Sequence, residues 1–358
     1  MAVDETRTKE LGAYRVLGLV GRGGMARVYR CQHKHSGQIV AVKVLELSAD
    51  LNGLALFEGE IRAMQQLRHP YIVPLQDYFL SPELAYLVMP YFENTVADRL
   101  SVRLYAPREA AQALAHLAHA LDYAHSLGYI HCDLKPSNLM LDGRDQLYLA
   151  DFGLAKSIGR RHNQQAAFGT PLYMAPELTE GASADVRTDV YALGVLICEM
   201  LSGHRPFEAE RVTDYFYLHQ RAVPPAPSQL NRVPPALDAP VLMALSKSPA
   251  ERPQSAGEFA RLFQEAVARL PEAEQRWNAP LCERPAIVLK PVKSGSGLLR
   301  ELNEQSTHLR QLEALAAREP QPASAPLQRA EGANQALMVV LGALAVALAA
   351  LIIYLLLR

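Results

Sequence analysis

His131-Cys132-Asp133-Leu134-Lys135-Pro136-Ser137-Asn138 is the stretch in which the chain is densest in reactive side chains. It holds a carboxylate at Asp133, an ammonium group at Lys135 and a carboxamide at Asn138. Such a set suits a reaction that deprotonates a hydroxyl, neutralises a transferred anion and holds a divalent ion. The stretch therefore indicates phosphoryl transfer. Taken alone, it is also compatible with a polar turn that a proline ends.

The composition predicts a globular protein whose body lies in the cytosol. The chain has 358 residues, with 36 Lys and Arg against 37 Asp and Glu, and no long basic block stands out. Nucleic acid is therefore not an expected partner. The four cysteines lack CxxC spacing, which indicates reduced thiols rather than a zinc site or a disulfide framework. The first residues are polar and acidic, so we expect no signal peptide.

The first part of the chain predicts a small lobe rich in β-strands. Apolar, strand-like segments lie near 14–20, 28–31 and 39–44, and turn signals separate them. An amphipathic helix is predicted at 56–67, with one carboxylate, Glu60, on its apolar face. Two more strands are predicted at residues 72–75 and 86–89, and the lobe is expected to end near residue 92.

The next part of the chain predicts mainly helices. A helix that begins near Pro107 carries an apolar stripe formed by Leu114, Leu117, Leu121 and Ala124. Two short apolar segments, 139–141 and 147–150, flank an Asp-Gly turn signal and predict a hairpin. Further helices are predicted at 189–201 and 239–245.

A glycine-rich segment, Gly21-Arg22-Gly23-Gly24-Met25-Ala26-Arg27-Val28, lies between two predicted strands. Glycines let backbone N–H groups approach phosphate oxygens, and a valine that follows can cover a purine ring. A dinucleotide-binding fold would require a helix after the glycines, so the strand that follows disfavours it. An ordinary glycine-rich hairpin has the same pattern. Lys43 ends the next apolar strand, and Glu60 is a candidate partner for its ammonium group.

Two further motifs, Asp151-Phe152-Gly153 and Ala175-Pro176-Glu177, complete an ordered set. Together with the glycine-rich segment, Lys43, Glu60 and the 131–138 stretch, this set resembles the eukaryotic-type Ser/Thr protein kinases, particularly their bacterial membrane-anchored members. The resemblance covers roughly residues 14–265. It implies an α+β, bilobal fold with a small β-rich N-lobe and a larger helical C-lobe.

The resemblance implies chemical roles for five residues. Asp133 would orient the substrate hydroxyl or accept its proton, and Lys135 would neutralise the transferred phosphoryl group. Thr170 would hydrogen-bond near both of them. Asn138 and Asp151 would bind magnesium, with manganese as an alternative.

ATP is the cofactor that the resemblance implies. Lys43 would hold the α- and β-phosphates and pair with Glu60. Met89 would be the gatekeeper beside the adenine, which would bond to the Pro90 carbonyl and the Phe92 N–H. The residues implied to bind the nucleotide are Val20, Gly21, Gly23, Gly24, Val28, Ala41, Lys43, Glu60, Met89, Pro90, Phe92 and Met140.

Three residues are implied to be structural. Glu177 and Arg252 would form a buried ion pair under the substrate site, and Asp189 would brace the catalytic loop. Lys135 and the segment Gly169-Thr170-Pro171-Leu172-Tyr173 are similar to members specific for serine and threonine. Protein serine and threonine hydroxyls are therefore the expected acceptors.

Cys132 departs from the family's pattern, because many relatives carry an arginine there that pairs with a phosphate on the activation segment. A neutral thiol does not form such a pair. The activation segment of this chain has no Ser, Thr or Tyr at residues 158–168. We therefore expect activity that does not depend on phosphorylation of the activation segment.

The sequence disfavours two alternatives to an active protein kinase. A pseudokinase would use the same fold as a scaffold, but such proteins usually lack one of three residues that are present here, Lys43, Asp133 and Asp151. A small-molecule phosphotransferase of related fold is disfavoured, because the segment from Gly169 to Glu177 resembles those of protein-substrate binders.

The end of the sequence predicts membrane attachment. Residues 337–357 are 21 residues without a charge, and a helix of that length spans about 31 Å, enough for a bilayer core. A single C-terminal transmembrane helix with a cytoplasmic kinase domain is expected, and the lipid bilayer is an expected partner. Before it, residues 298–319 predict an amphipathic or short coiled-coil helix. Either helix is a candidate for homodimer contacts.

The predicted organisation is a polar tail at 1–13, a kinase domain at 14–270, a Pro/Gly-rich linker at 271–297, the helix at 298–319, a linker at 320–336 and the transmembrane helix at 337–357.

Overall fold

The computed structural model describes residues 10–22, 26–45, 51–81, 84–152, 156–157 and 171–283. For residues 51–57 and 156–157 the description is limited to the backbone. All described residues belong to one compact unit, Met1–Gly295. The second unit, Ser296–Arg358, lies outside the described residues.

A curled antiparallel sheet forms the first lobe. Its six strands are β1 Glu10–Leu11, β2 Tyr14–Arg22, β3 Ala26–His33, β4 Ile39–Leu45, β5 Asp77–Leu80 and β6 Ala85–Pro90. They lie in the order β1-β2-β3-β4-β6-β5. The Tyr14 hydroxyl on β2 nevertheless donates to Asp77 Oδ2 on β5 at 2.9 Å. Because three strands separate β2 from β5 in the sheet, this bond requires the sheet to curl.

Helix α1, Leu51–Gln66, packs its apolar face against this sheet. Ile61 and Met64 form a buried cluster with Ala85 and Leu87 of β6. The helix predicted at 56–67 is confirmed, and it begins five residues earlier than predicted.

The strand predicted at residues 72–75 is wrong, and the strand of this region is β5. Ile72 forms only an isolated bridge with Leu149, and the Val73 N–H donates to the Leu149 carbonyl at 2.9 Å. Pro74 has no N–H to donate to a ladder. The segment therefore pairs with the second lobe rather than with the sheet of the first.

The second lobe is mainly helical, as predicted. Its helices are α2 Val96–Leu100, α3 Pro107–Ser126, α4 Pro176–Thr179, α5 Val186–Ser202, α6 Val212–Arg221, α7 Pro227–Leu230, α8 Asp238–Ala244, α9 Ala256–Ala268 and α10 Glu272–Gln275. Short 3₁₀ turns are found at Pro136–Asn138, Pro171–Tyr173, Pro235–Leu237 and Pro249–Glu251. Short strands are β7 Asn94–Thr95, β8 Tyr129–Ile130, β9 Leu139–Leu141, β10 Leu147–Leu149 and β11 Lys156–Ser157. Strands β9 and β10 form the predicted hairpin.

Helix α5 lies at the centre of the core of the second lobe. Its side chains are buried from Thr188 through Cys198, and it packs against α3, α8 and α9. A Cβ at Gly194 would lie 2.9 Å from the Ala244 Cβ of α8, so only glycine allows this close approach. The predicted apolar stripe of α3 is buried in the same core.

Residues after α9 also contact the helical lobe. The Asn278 side-chain amide donates to the Leu104 carbonyl at 3.0 Å, and the Asn231 amide donates to the Pro280 carbonyl at 2.8 Å. The start of the stretch predicted as a linker is thus packed on the lobe as far as the structure describes it. In the described part of the chain, no helix combines the length and apolar character needed to cross a membrane. The predicted segments 298–319, 320–336 and 337–357 lie outside that part.

Candidate active site

Lys43 on β4 joins the two lobes through its ammonium group. Its Nζ donates to Glu60 Oε1 of α1 at 2.7 Å and to Asp151 Oδ1 at 2.7 Å. The sequence predicted the pair with Glu60, and the structure brings both residues together. Asp151 lies two residues beyond the end of β10, so one ammonium group links strand, helix and second lobe.

The charges of this triad depend on one another. Burial opposes the charge on Lys43, but the carboxylates of Asp151 and Glu60 outweigh it and raise the Lys43 pKa above its usual value. Burial likewise acts to raise the Asp151 pKa, yet the Lys43 ammonium holds it below its usual range. Burial raises the pKa of Glu60 despite Lys43, and the negative charge of Asp151 adds to that effect. The arrangement therefore favours an ionised Asp151 beside a charged Lys43.

The strand register aligns several residues predicted to bind the nucleotide. Gly21 of β2 lies opposite Val28 of β3, and Val28 lies opposite Lys43. On the other side of β4, Ala41 lies opposite Met89 and Val40 lies opposite Pro90. Gly23 and Gly24 lie outside the described residues, and Val20 is an exposed residue of β2.

The segment after β6 holds the other residues predicted to contact adenine. Met89 packs against the buried cluster between α1 and β6, and Pro90 ends β6. The Phe92 ring lies 5.2 Å from the Tyr148 ring, measured between centroids. Met140 is half-buried on β9 and pairs with Tyr148 of β10. Phe92 and Met140 thus both lie beside Tyr148.

The 131–138 loop brings its predicted catalytic groups into direct contact. Lys135 Nζ donates to Asp133 Oδ2 at 2.6 Å. The Asn138 amide nitrogen donates to the backbone carbonyl of Asp133 at 2.8 Å and to Asp133 Oδ2 at 3.1 Å. The 3₁₀ turn Pro136–Asn138 folds Asn138 back towards Asp133. Thr170, predicted to join this group, lies outside the described residues.

His131 connects this loop to the segment after β10 that carries Asp151. Its buried ring donates from Nε2 to the Ala150 carbonyl at 3.0 Å and lies edge-on to the Phe152 ring. The Asp133 N–H donates to His131 Nδ1 at 3.3 Å, so the ring proton is assigned to Nε2. Asp133 and Asp151 therefore have a common support.

Asp189 of α5 supports the backbone of the 131–138 loop. Its Oδ2 accepts from the His131 N–H and its Oδ1 accepts from the Cys132 N–H, each at 2.9 Å. Cys132 has a φ of 63°, and Asp151 has a φ of 66°. Both residues are in the left-handed region that non-glycine residues rarely adopt. Strain of this kind persists where the surroundings hold it, and it is concentrated at functional sites.

Glu177 and Arg252 form the buried ion pair that was predicted for them. The Arg252 guanidinium donates to Glu177 Oε1 at 2.9 Å and to Oε2 at 2.8 Å. It also donates to the backbone carbonyls of Arg187, Ser246 and Lys247. This pair supports the turn that follows the activation segment. The Arg252 side chain is 0% exposed and the Glu177 side chain is 11% exposed.

The donor set suits magnesium. Asn138 and Asp151 offer an amide oxygen and a carboxylate, which are hard oxygen ligands. Magnesium is commonly bound by one or two protein groups, with phosphate oxygens and water as the other ligands. Among the residues that the structure describes, no cluster of three or more His, Cys, Asp or Glu is placed to hold a metal ion by itself. A pair of protein ligands of this kind therefore fits magnesium.

His125 is a contact residue of the site that the motifs do not include. It lies on the last turn of α3, and its Nε2 is 2.8 Å from Asp189 Oδ2. Its only signal in the sequence is its place one turn beyond Leu121, at the border of the apolar stripe. Such a signal does not distinguish a buried polar contact from a surface histidine.

Comparison with known proteins gives consistent matches. Residues 14–259 match the family described as protein kinase domain. Serine/threonine-protein kinase PknD of Mycobacterium tuberculosis is 36% identical over 267 residues, which cover 72% of this chain and 40% of that protein. Kinase pkn3 of Myxococcus xanthus is 34% identical over 264 residues, which cover 69% of this chain and 48% of that protein. The DNA damage-responsive serine/threonine-protein kinase RqkA of Deinococcus radiodurans is 36% identical over 267 residues, which cover 72% of this chain and 40% of that protein. The aligned region thus spans less than half the length of these relatives.

Proposed function

The chain belongs to the protein kinase family, and we propose that it is an active enzyme that transfers the γ-phosphate of ATP to serine and threonine hydroxyls of proteins. The observation that carries this proposal is the position of Lys43, whose Nζ bonds both Glu60 and Asp151 at 2.7 Å. In protein kinases this lysine–glutamate pair and the metal-binding aspartate must both be in place for catalysis. The names of the relatives support serine and threonine as acceptors.

In the proposed reaction, the chain's own residues act mainly by positioning the reacting groups and by stabilising their charges. Asp133 accepts the proton of the substrate hydroxyl as the hydroxyl oxygen bonds to the γ-phosphorus, and the bond from that phosphorus to the β–γ bridging oxygen breaks to release ADP. Lys135, which is 2.6 Å from Asp133, neutralises the negative charge of the transferred group. Asn138 uses its amide nitrogen on Asp133, which leaves its carbonyl oxygen as the metal-binding atom.

Magnesium, or manganese in its place, would neutralise phosphate charge between Asn138 and Asp151. Lys43 would bind phosphate oxygens, and the β2–β3 hairpin would cover them from above. Ala41, Val28 and Met140 would enclose the adenine. Met89, Pro90 and Phe92 would form its edge contacts. These roles are proposals that rest on the strand register and on the family.

The competing proposal is a pseudokinase scaffold. It is disfavoured because Lys43, Asp133 and Asp151 are all present and the bonds of Lys43 are formed. The test uses the purified full chain with ATP and magnesium, and it measures nucleotide binding and phosphate transfer separately. Transfer to protein Ser or Thr supports the kinase. Binding of ATP without transfer to the chain itself or to any protein in a substrate panel would favour the scaffold.

We further propose that activity does not require a phosphate on the activation segment. Cys132 stands next to Asp133, where many relatives carry the arginine that receives this phosphate. Residues 158–168 offer no hydroxyl to be phosphorylated. A loop that holds its geometry through Asp189 and His131 needs no such contact. Regulation would then act through location, dimerisation or partner proteins.

Membrane anchoring by residues 337–357 is a separate proposal, with the kinase domain on the cytoplasmic side. It is supported by the uncharged length of that segment. Leu344→Arg combined with Leu348→Arg would place two charges in the centre of the segment, each costing about 2.5 to 3.5 kcal/mol on insertion. The wild-type chain should be recovered with membranes and the double variant in the soluble fraction. Equal recovery of both with membranes would contradict the anchor.

Homodimer formation is proposed through residues 298–319 or through the membrane segment. The heptad-like spacing of apolar residues supports the first site, and small residues in 337–357 support the second. A dimer would favour phosphorylation in trans. Cross-linking of the full chain in membranes should give a dimer, and recovery of monomer alone would remove this proposal.

A further inference from the structure

The chain beyond α9 runs over the surface of the helical lobe, and we call residues 271–283 the extension. It lies beyond the part of the chain that matches the protein kinase family. The Asn278 amide of the extension donates to the Leu104 carbonyl at 3.0 Å. The Pro280 carbonyl accepts from the Asn231 amide at 2.8 Å. These two hydrogen bonds hold the extension on the lobe along a defined path.

Large apolar side chains remain uncovered along the extension. Trp277 is 41% exposed and Leu281 is 52% exposed, although each lies next to a residue that is bonded to the lobe. Val102, two residues before Leu104, is 76% exposed. Single exposed apolar residues are common in proteins, whereas several around one contact mark a surface that another segment covers. Trp277 also borders a shallow depression whose lining includes Tyr105, Pro107, Leu201, Val233 and Ala279.

The sequence provides an apolar segment within reach of this surface. Ala286-Ile287-Val288-Leu289 is uncharged and lies between Pro285 and Pro291. Ile287 is four residues beyond Glu283, the last residue that the structure describes. Four residues span at most about 14 Å, and tethering over so short a distance gives an effective concentration on the order of millimolar. A weak apolar contact is therefore enough to keep such a segment bound.

We infer that residues 286–289 pack against Trp277 and Leu281, so that the chain covers its own exposed apolar surface. The docked segment would extend the folded kinase domain to Leu289. The connection towards residues 298–319 would then begin after this residue, rather than at Pro271, where composition alone places the start of a linker. The inference does not depend on catalytic activity.

A lipid surface and a second copy of the chain are the other candidates to cover Trp277. The extension carries three carboxylates against one cation, Arg276, which already pairs with Glu272 at 2.7 Å. Anionic membranes attract basic segments, so this acidic extension favours a protein segment over lipid as its cover. A segment joined to the extension also has the advantage over a second copy at any dilution.

Trp277 is the only tryptophan in the chain, so its fluorescence reports on this surface directly. The full chain is placed in phosphatidylcholine bilayer discs, and acrylamide quenching of Trp277 is compared between wild type, Ile287→Asp and Val292→Asp. A carboxylate is costly to bury among apolar side chains, so Ile287→Asp should detach the segment and raise the quenching constant about 2-fold. Val292→Asp is the matched control, because it adds the same charge beyond Pro291. It should keep the wild-type quenching constant.

Amide hydrogen exchange of the wild type provides a second measurement that needs no variant. The amides of residues 287–289 should exchange at least about 10-fold more slowly than those of residues 294–297, which lie in the Gly/Ser-rich part of the same linker. Equally fast exchange in the two segments would overturn the inference. Equal quenching in wild type, Ile287→Asp and Val292→Asp would overturn it as well.

The two other covers give different results in the quenching experiment. Wild-type quenching that falls as the protein concentration rises would assign the surface to a second copy of the chain. Quenching that falls only when phosphatidylglycerol is added to the discs would assign it to lipid. Either result would overturn the inference that residues 286–289 cover Trp277.

Discussion

Lys43 Nζ lies 2.7 Å from Asp151 Oδ1 although the two residues are 108 positions apart in the chain. The same ammonium group lies 2.7 Å from Glu60 Oε1. A strand of one lobe is thereby tied to a helix of that lobe and to the aspartate of the other lobe that we propose binds the metal. A nucleotide phosphate that binds Lys43 would therefore meet a site whose two halves are already aligned.

Lys43→Met should reduce kcat roughly 100-fold to 1000-fold, as expected when a preorganised charge at the reaction centre is lost. The exposed Lys34 offers a matched control, because it lies away from the site. Its Nζ donates to Glu10 Oε2 at 2.6 Å. Lys34→Met should keep the wild-type kcat. The measurement is steady-state phosphate transfer by the purified full chain. A Lys43→Met variant as active as the control would contradict the role given to Lys43.

Glu177→Gln should lower the free energy of unfolding by about 3 to 5 kcal/mol, because it leaves the Arg252 charge buried without its partner. The Arg252 side chain is 0% exposed. Glu265→Gln serves as the control, since its pair with Arg261 on α9 is exposed and such pairs contribute about 0.5 kcal/mol. Both variants are compared by urea unfolding. Equal, small losses would show that the buried pair is not a structural support.

Lys247 should make stability depend on pH. Its Nζ donates to the His219 carbonyl at 2.6 Å and to the Leu218 carbonyl at 3.2 Å, at the end of α6. Burial and the nearby charge of Arg252 lower the Lys247 pKa from 10.5 to about 7. Between those two pH values the unfolded chain binds more protons than the folded chain, so stability rises with pH.

The test of this effect compares wild type with Lys247→Met from pH 7 to pH 9. The free energy of unfolding of wild type, relative to the variant, should increase by up to about 1.4 kcal/mol per pH unit. Below pH 7 the lysine is protonated in both states and the relative value should be flat. A relative value that stays constant across the whole range would show that Lys247 keeps its ordinary pKa.

Phosphatase treatment should leave the activity of the purified protein unchanged. The physical reason is that Cys132 offers no charge to an activation-segment phosphate, and Asp189 already holds the loop. Mass spectrometry would verify that the treated protein carries no phosphate. Loss of activity that returns on incubation with ATP would contradict activity that is independent of activation-segment phosphorylation.

Local patterns predicted most of the elements that build the site. The apolar stripe of α3, the β9–β10 hairpin and the strands around the glycine-rich segment were all visible as periodicity and turn chemistry. The pair of Lys43 and Glu60 was predictable too, because Glu60 is the lone carboxylate on the apolar face of the helix that follows Lys43. The helix, hairpin and strands depend on residues that are neighbours in sequence. The ion pair was indicated by a charged residue at a position expected to be buried.

Features set by distant contacts were not predictable in the same way. Residues 72–75 have the composition of a strand, yet their partner is Leu149 in the other lobe. The contact of His125 with Asp189 joins residues 64 positions apart. The left-handed conformation of Cys132 follows from the two hydrogen bonds of its loop with Asp189, and the residue type alone argues against it. In each case tertiary packing determines the outcome.

Asp133→Asn is the substitution that tests the central claim most directly, because it keeps the shape of the side chain and removes the proton acceptor. Cells that carry equal amounts of the wild-type or the variant chain are compared by quantitative phosphoproteomics. A set of phosphorylated serines and threonines present with the wild type should disappear with Asp133→Asn. Unchanged Ser and Thr phosphorylation, with both chains folded and equally abundant, would contradict the assignment of this chain as an active protein kinase.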